Sequence, residues 1–474
     1  MEETIIGSIG GETDIMNSWI KIDDSGLAEF KNAPVDLDKK GKIIGNQNNI
    51  LKLILNPIYA EAKGIISGKF FYDTCSHSIK FLGTVKGEDE SLSQELRLWN
   101  DSLTNILGME LHLQYGIAYV RKRIEECISY IAYKRNVNLP ALYIKSLKYD
   151  GGSYIEKLLP KYLGAEDNEL NKWIMKHFMV GLVKRVLNPG CKFDEIMVLT
   201  GDQGIGKTSF IEKLAVNPSW YCSLNSIKGK DAVSNLTGKI VVELEEFVAL
   251  RNAKSADEAK LFISSRISTV RLPFERTSRD IPRTCILIAT TNDATFLGDF
   301  SGERRYLPVK VNQENIQIPA MYDPQKFPQI KSLSKEDHAL IVERDFKGAM
   351  AEAYQAYLND EFQEVLPSHL FGDLALVIQE HKLDNRHVQN FLEFMHWKEN
   401  SSDTPDILCS AEFTNRYPDA NEKVFSELMA NEMRGVWTLI PSTVSVKRII
   451  DGRVRVTKKF YERIRKEEQD SPDY

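Results

Sequence analysis

Cysteine is scarce in this chain, and none of it is placed for chemistry that needs pairs. The six residues, Cys75, Cys127, Cys191, Cys222, Cys285 and Cys409, are scattered along 474 positions with no Cys-x-x-Cys pair and no Cys/His cluster. That spacing argues against a zinc site and against a disulfide framework, and it fits a reducing cytoplasm. The eight histidines are equally dispersed, so a His/Asp metal nuclease has no support. No apolar run approaches the roughly 20 residues needed to cross a bilayer. The acidic start, "MEETIIGSIGGETD", lacks the charged-then-apolar order of a secretory leader. The expectation is a soluble, cytoplasmic protein without a membrane partner. A surplus of positive charge is also missing. With a net charge of −6, any nucleic-acid surface has to be local. There is no internal repeat and no low-complexity tract.

A chain of this length can bury several cores, which points to roughly two to four domains. Residues 1–94 mix strand-like runs ("KFFYDTCSHSIKFLGTV") with a helical "NNILKLILN" and end in the polar "KGEDESLSQE"; they read as an α+β domain of unassigned role. Residues 95–180 carry apolar positions at i, i+3 and i+4 and read as a helical region. From 181 to 384 short apolar strands alternate with helices, the pattern of an α/β parallel sheet covered on both faces. Residues 385–474 form a separate C-terminal region.

The sheet region opens on "EIMVLTGDQGIGKTSF", a strand running into Gly201, Gly204 and Gly206 and then into a helical pattern. Gly201-x4-Gly206-Lys207-Thr208 satisfies the phosphate-loop pattern. A loop whose backbone N–H groups point inward needs residues that reach positive φ and carry no Cβ. Lys207 would neutralise the β- and γ-phosphates of ATP, the Thr208 hydroxyl would ligate Mg²⁺, and Ile205 and Ser209 complete the nucleotide-binding stretch. The start of the following helix adds its partial positive charge.

Hydrolysis needs carboxylates as well. "GKIVVELEEF" (238–247) is a β-rich run ending in Glu245 and Glu246, placed to hold the metal and to orient and deprotonate the attacking water, in that order. Glu243 shares a face with Glu245 in an extended strand and is the other candidate for the metal side, should the strand stop at Val242. A third strand, "TCILIATTND" (284–293), ends in Thr290, Thr291 and Asn292, and a polar side chain there can sense the γ-phosphate. "GDFSGERRYLPV" (298–309) then offers Arg304 and Arg305, either of which could reach a neighbouring subunit's phosphate and stabilise charge developing on transfer.

Through "GDQGIGKTSF", "VVELEEF", "RLPFER…PR", "ATTND" and "GERRYLPV" the chain resembles the virulence-associated protein E family, AAA+-type ATPases related to superfamily 3 helicases and carried by phages, plasmids and pathogenicity islands. The resemblance covers about residues 145–385. It implies an AAA+-type P-loop ATPase core and a replication initiator helicase of a mobile genetic element. Such a protein would assemble as a hexameric ring around DNA, with ATP bound between subunits. By the same resemblance Lys207 and Thr208 belong to the phosphate loop, Glu245 and Glu246 to the second acidic motif, Asn292 to the sensor position and Arg304 or Arg305 to the arginine finger. Two departures stand out. The N-terminal stretch is short for the primase domain some members carry, so priming would fall to a separate protein. The acidic motif also uses glutamate where related helicases often have aspartate.

"SSRISTVRLPFERTSRDIPRT" (264–284) matches a segment that in superfamily 3 helicases forms a hairpin in the ring's channel; Arg276 and Arg279 are the candidates for contact with single-stranded DNA. Near the C-terminus, Asp451-Gly452 between β-rich arms signals a hairpin. Its arms carry Lys447, Arg448, Arg453, Arg455, Lys458 and Lys459, which suggests an α+β winged-helix-like domain on double-stranded DNA at a replication origin. The alternative, from a different class, is an AAA+ origin-binding or regulatory switch that hydrolyses ATP without unwinding. A P-loop kinase is disfavoured because no Arg-rich, lid-like acceptor site follows the third strand.

Overall fold

The computed structural model describes residues 27–60, 64–227, 232, 234–245, 256–270, 278–292, 305–361 and 365–381. Beyond these it describes 390–391, 393–395, 397–398, 407–417, 425, 429, 437–439, 449–450, 453–454 and 460–463. The chain divides into two compact units, Met1–Thr290 with Val309–Leu366, and Thr291–Pro308 with Pro367–Tyr474.

The larger unit starts with a small sheet. Strands β1 (Ile66–Asp73) and β2 (Ser78–Val85) form an antiparallel hairpin. With β3 (Leu96–Leu98) and β4 (Asn136–Val137) they give the order β3-β2-β1-β4. The helices Asp101–Tyr115 and Arg121–Lys134 bury Leu103, Leu107, Leu111, Ile124, Ile128 and Ile131 against Phe70, Phe81 and Val85 of this hairpin. One apolar core therefore runs from Leu27 to Ala132. The domain boundary expected near residue 94 passes through it, because a two-stranded hairpin cannot hide its apolar face without the helices that follow. The β1–β2 turn then meets the next layer: Cys75 Sγ lies 3.9 Å from Thr284 Oγ1, and Ser76 stands against Gly238.

That next layer is a five-stranded sheet. Its strands are β5 (Ile196–Thr200), β6 (Tyr221–Leu224), β7 (Val241–Leu244), β10 (Ile286–Thr291) and β11 (Tyr306–Lys310), arranged β11-β5-β10-β7-β6. Strand β7 runs parallel to both β6 and β10. Strands β5, β7 and β10 are buried along their whole length, as near-continuous apolar runs in a covered parallel sheet should be. In chain order the connections leave β5 toward one edge, through β6, and leave β10 toward the other, through β11. A crevice at the C-terminal ends of β5 and β10 follows from such a reversal.

Helices Ile155–Leu163, Glu169–Leu187 and Lys335–Leu358 pack together in the same unit. Asp345 of the last helix accepts from Lys161 Nζ at 2.5 Å and from the Tyr162 hydroxyl at 2.9 Å. Phe346 beside it contacts Tyr162 and Phe210, with ring centroids 5.0 and 5.6 Å away, which ties the helix after the glycine loop into this layer. Between β7 and β10 the chain forms an antiparallel pair, β8 (Ile267–Val270) with β9 (Arg279–Pro282).

In the smaller unit, Phe391, Phe394, Phe413, Phe425, Met395 and Met429 make a compact aromatic core. Strands β12 (Ile407–Cys409), β13 (Trp437–Leu439) and β16 (Phe460–Arg463) form an antiparallel sheet in the order β12-β16-β13. The hairpin expected around residue 451 is present: β14 (Ile449–Ile450) pairs with β15 (Arg453–Val454), with Ile450 opposite Arg453. Among the described residues no helix is long and apolar enough to cross a membrane.

Candidate functional site

At the C-terminal end of β5 the chain turns through residues 201–206 into the helix Lys207–Leu214. Gly201, Gly204 and Gly206 have φ of +150°, +85° and +99°, conformations that an L-residue with a Cβ resists. Ile205 is buried and anchors the loop from beneath. Thr208 and the half-buried Ser209 stand in the first helical turn. Lys207 is buried, and its Nζ donates to the carbonyl oxygens of Gly201 and Asp202 at 2.6 and 2.8 Å. Burial holds this ammonium below the usual lysine pKa, against the opposing pull of Asp202 and Glu243. A cation is thus held at the centre of a turn whose glycines add no side chains of their own, and an anion seated there would meet it.

The carboxylate facing this turn is Glu243, in the middle of β7 and fully buried. Its Oε1 accepts from the Thr208 hydroxyl at 2.9 Å and from the Thr290 hydroxyl at 3.0 Å, and its Oε2 accepts from the Tyr221 hydroxyl at 2.5 Å. Three hydroxyls from three elements fix one carboxylate, as a charged group out of water requires. Burial first, and then the hydrogen bond to Glu243, push the Tyr221 phenol well above its usual pKa. The strand does not stop at Val242, so the condition set for Glu243 as the metal-side acid is not met, yet its side chain is the one that reaches Thr208. Glu245 has left the strand; it accepts from Ser223 Oγ and lines an open, polar cavity of about 370 Å³ with Asn225 and Asn235. Of the two candidate metal-side acids, Glu243 is the one that hydrogen-bonds Thr208, while Glu245 bonds Ser223. A hydroxyl and a carboxylate this close are hard oxygen donors of the kind Mg²⁺ takes while keeping several waters. No group of three His, Cys, Asp or Glu able to hold a metal occurs among the described residues, and a two-donor site of this kind does not need one.

Asn292 is exposed and directly follows β10. Arg305 directly precedes β11 and is half-buried, its Nε lacking a hydrogen-bond partner. Glu246, Arg304, Arg276, Lys447, Arg448, Arg455, Lys458 and Lys459 lie outside the described residues. Arg453 falls in β15. Arg279, a candidate for contact with single-stranded DNA, donates from Nη1 to the Tyr72 hydroxyl at 3.0 Å. Tyr221 escaped sequence reasoning. Its only signal was a tyrosine opening an apolar run, "YCSL", with nothing to say that this strand would lie beside the acidic one.

The architecture is a mixed α/β one, with a parallel sheet and a glycine turn at the C-terminal end of β5. Residues 144–363 match the model of the virulence-associated protein E-like domain. Among solved structures, the NrS-1 C terminal region (305–718), in its apo form, is similar at 12% identity. The match covers 85% of this chain and 96% of that one, with a TM-score of 0.42. SCCmec type IV Cch, described as an active helicase, is similar at 8% identity over 84% of this chain and 93% of that one, with a TM-score of 0.31. No curated protein matches the chain in sequence.

Proposed function

We propose that this protein is a Mg²⁺-dependent ATPase of the AAA+ type that works as a DNA helicase and replication initiator of a mobile genetic element. In this reading it hydrolyses ATP at the subunit interfaces of a ring, and residues 201–209 form its phosphate loop.

The observation that carries the reading is the convergence of Lys207, Thr208 and Glu243 at one end of the sheet. A phosphate entering the turn would take over the hydrogen bonds that Lys207 now makes to loop carbonyls. Thr208 and Glu243 would hold Mg²⁺, which when bound neutralises charge on the β- and γ-oxygens. Glu245 or Glu246 would orient and deprotonate the attacking water, Asn292 would sense the γ-phosphate, and Arg304 or Arg305 would reach the phosphate of a neighbouring subunit. The basic arms around residue 451 would bind duplex DNA, and the segment around Arg276 the single strand.

The test is phosphate release from ATP by the purified full chain, with and without forked DNA, beside strand displacement. Lys207→Ala should abolish both activities. The second reading, an origin-binding or regulatory switch, draws support from Arg279, whose engagement with Tyr72 leaves it less available to a translocating strand. ATP hydrolysis without displacement would select that reading.

A further inference from the structure

The segment that follows β11 returns over the glycine turn. Val311 N donates to Thr200 O at 2.8 Å, and a Cβ placed on Gly201 would stand 2.7 Å from Val311 Cγ2. The chain is then pinned repeatedly. The amides of Gln317 and Ile318 donate to Lys161 O at 3.0 and 3.1 Å, and the His338 ring bonds Pro319 O at 2.8 Å. The Asp323 carboxylate accepts from the amides of Gln325 and Lys326 at 3.1 and 3.0 Å, while Phe327 is buried. This places Lys326 over the turn: a Cβ built on Gly204 would collide with Lys326 Nζ and lie 3.5 Å from its Cε. Among the described residues no carboxylate pairs with this ammonium.

We propose that Lys326 is a second cationic contact for the phosphate chain of the nucleotide, supplied by the same protomer from the strap after β11. The inference rests on the reading of residues 201–209 as a nucleotide site. Lys207 meets the phosphates from the floor of the turn, and Lys326 meets them from its rim. An ammonium held by a pinned backbone gives a charge-assisted hydrogen bond to a phosphate oxygen at little cost in ordering, though its exposure to solvent keeps the effect modest.

The experiment is calorimetric titration of the full-length protein with ATP and Mg²⁺. Lys326→Ala should weaken ATP binding about tenfold, and Lys326→Arg should restore it to within about threefold. The melting temperature without nucleotide should not change, because the side chain is exposed. Wild-type affinity in Lys326→Ala, with binding lost in Lys207→Ala, overturns the proposal and leaves the nucleotide site standing. A lowered melting temperature that arginine does not rescue overturns it too, by making the lysine structural. If the wild-type protein does not bind ATP, both readings fall together.

Discussion

Glutamine at position 243 separates the two candidate acids. It matches glutamate in shape, and its carbonyl oxygen can still accept from Thr208, Thr290 or Tyr221, while its amide can donate to a hydroxyl oxygen. The variant should therefore fold. Loss of charge-assisted hydrogen bonds opposes relief from burying a charge, so stability should shift by no more than about 2 kcal/mol. Catalysis has no such compensation. Glu243 is the carboxylate 2.9 Å from the Thr208 hydroxyl, and replacing one preorganised charge-stabilising group costs about 3 kcal/mol, or roughly 100-fold in rate. Phosphate release at saturating ATP and Mg²⁺ should fall by that factor in Glu243→Gln. Thermal melting of the same preparation reports the fold. Hydrolysis at the wild-type rate in Glu243→Gln would refute the reasoning, and loss of activity in Glu245→Gln alone would return the metal-side role to Glu245.

Other consequences concern the supporting structure. Gly164 ends the helix Ile155–Leu163 at φ +60°, and a Cβ there would collide with the Asn312 carbonyl oxygen; Gly164→Ala should lower stability by about 3 kcal/mol in chemical denaturation. Gly151, at φ +86° with open space around it, should lose only about 1 kcal/mol in the same substitution. Burial raises the pKa of Asp345, but hydrogen bonds from Lys161, Arg344 and Tyr162 outweigh it and hold the carboxyl below its ordinary 3.8. The stability this contributes is complete above that value and is lost as pH falls through the lower, folded one. Asp345→Asn should thus cost about 2 kcal/mol at neutral pH, with the two unfolding curves converging on acidification; parallel curves would contradict the assignment.

The glycine turn was legible because three glycines, a lysine and a threonine at fixed spacing leave few backbone paths between a strand and a helix. The identity of the facing acid was not. Alternation puts Glu243 and Glu245 on one face of an extended strand, and only the end of β7 at Leu244, with Thr208, Tyr221 and Thr290 arriving from three other elements, decides between them. The N-terminal boundary was misplaced for a related reason. The polar stretch after Val85 looks like a linker, but the helices beyond it carry the apolar faces that the β1–β2 hairpin needs. Arg279 carries a similar lesson: a run of basic residues on a hairpin does not announce that Tyr72, 207 positions earlier, comes within hydrogen-bond reach.

The β1–β2 turn has a practical consequence. Asp73 accepts from the amide of Leu139, Cys75 meets Thr284, and Ser76 seats on Gly238 just ahead of β7. A fragment trimmed to residues 144–363 would strip that covering from the root of the central strands while leaving the glycine turn intact. Such a piece should bind poorly or precipitate for want of its foundation, and a shortened version meant for biochemistry should begin ahead of Leu27.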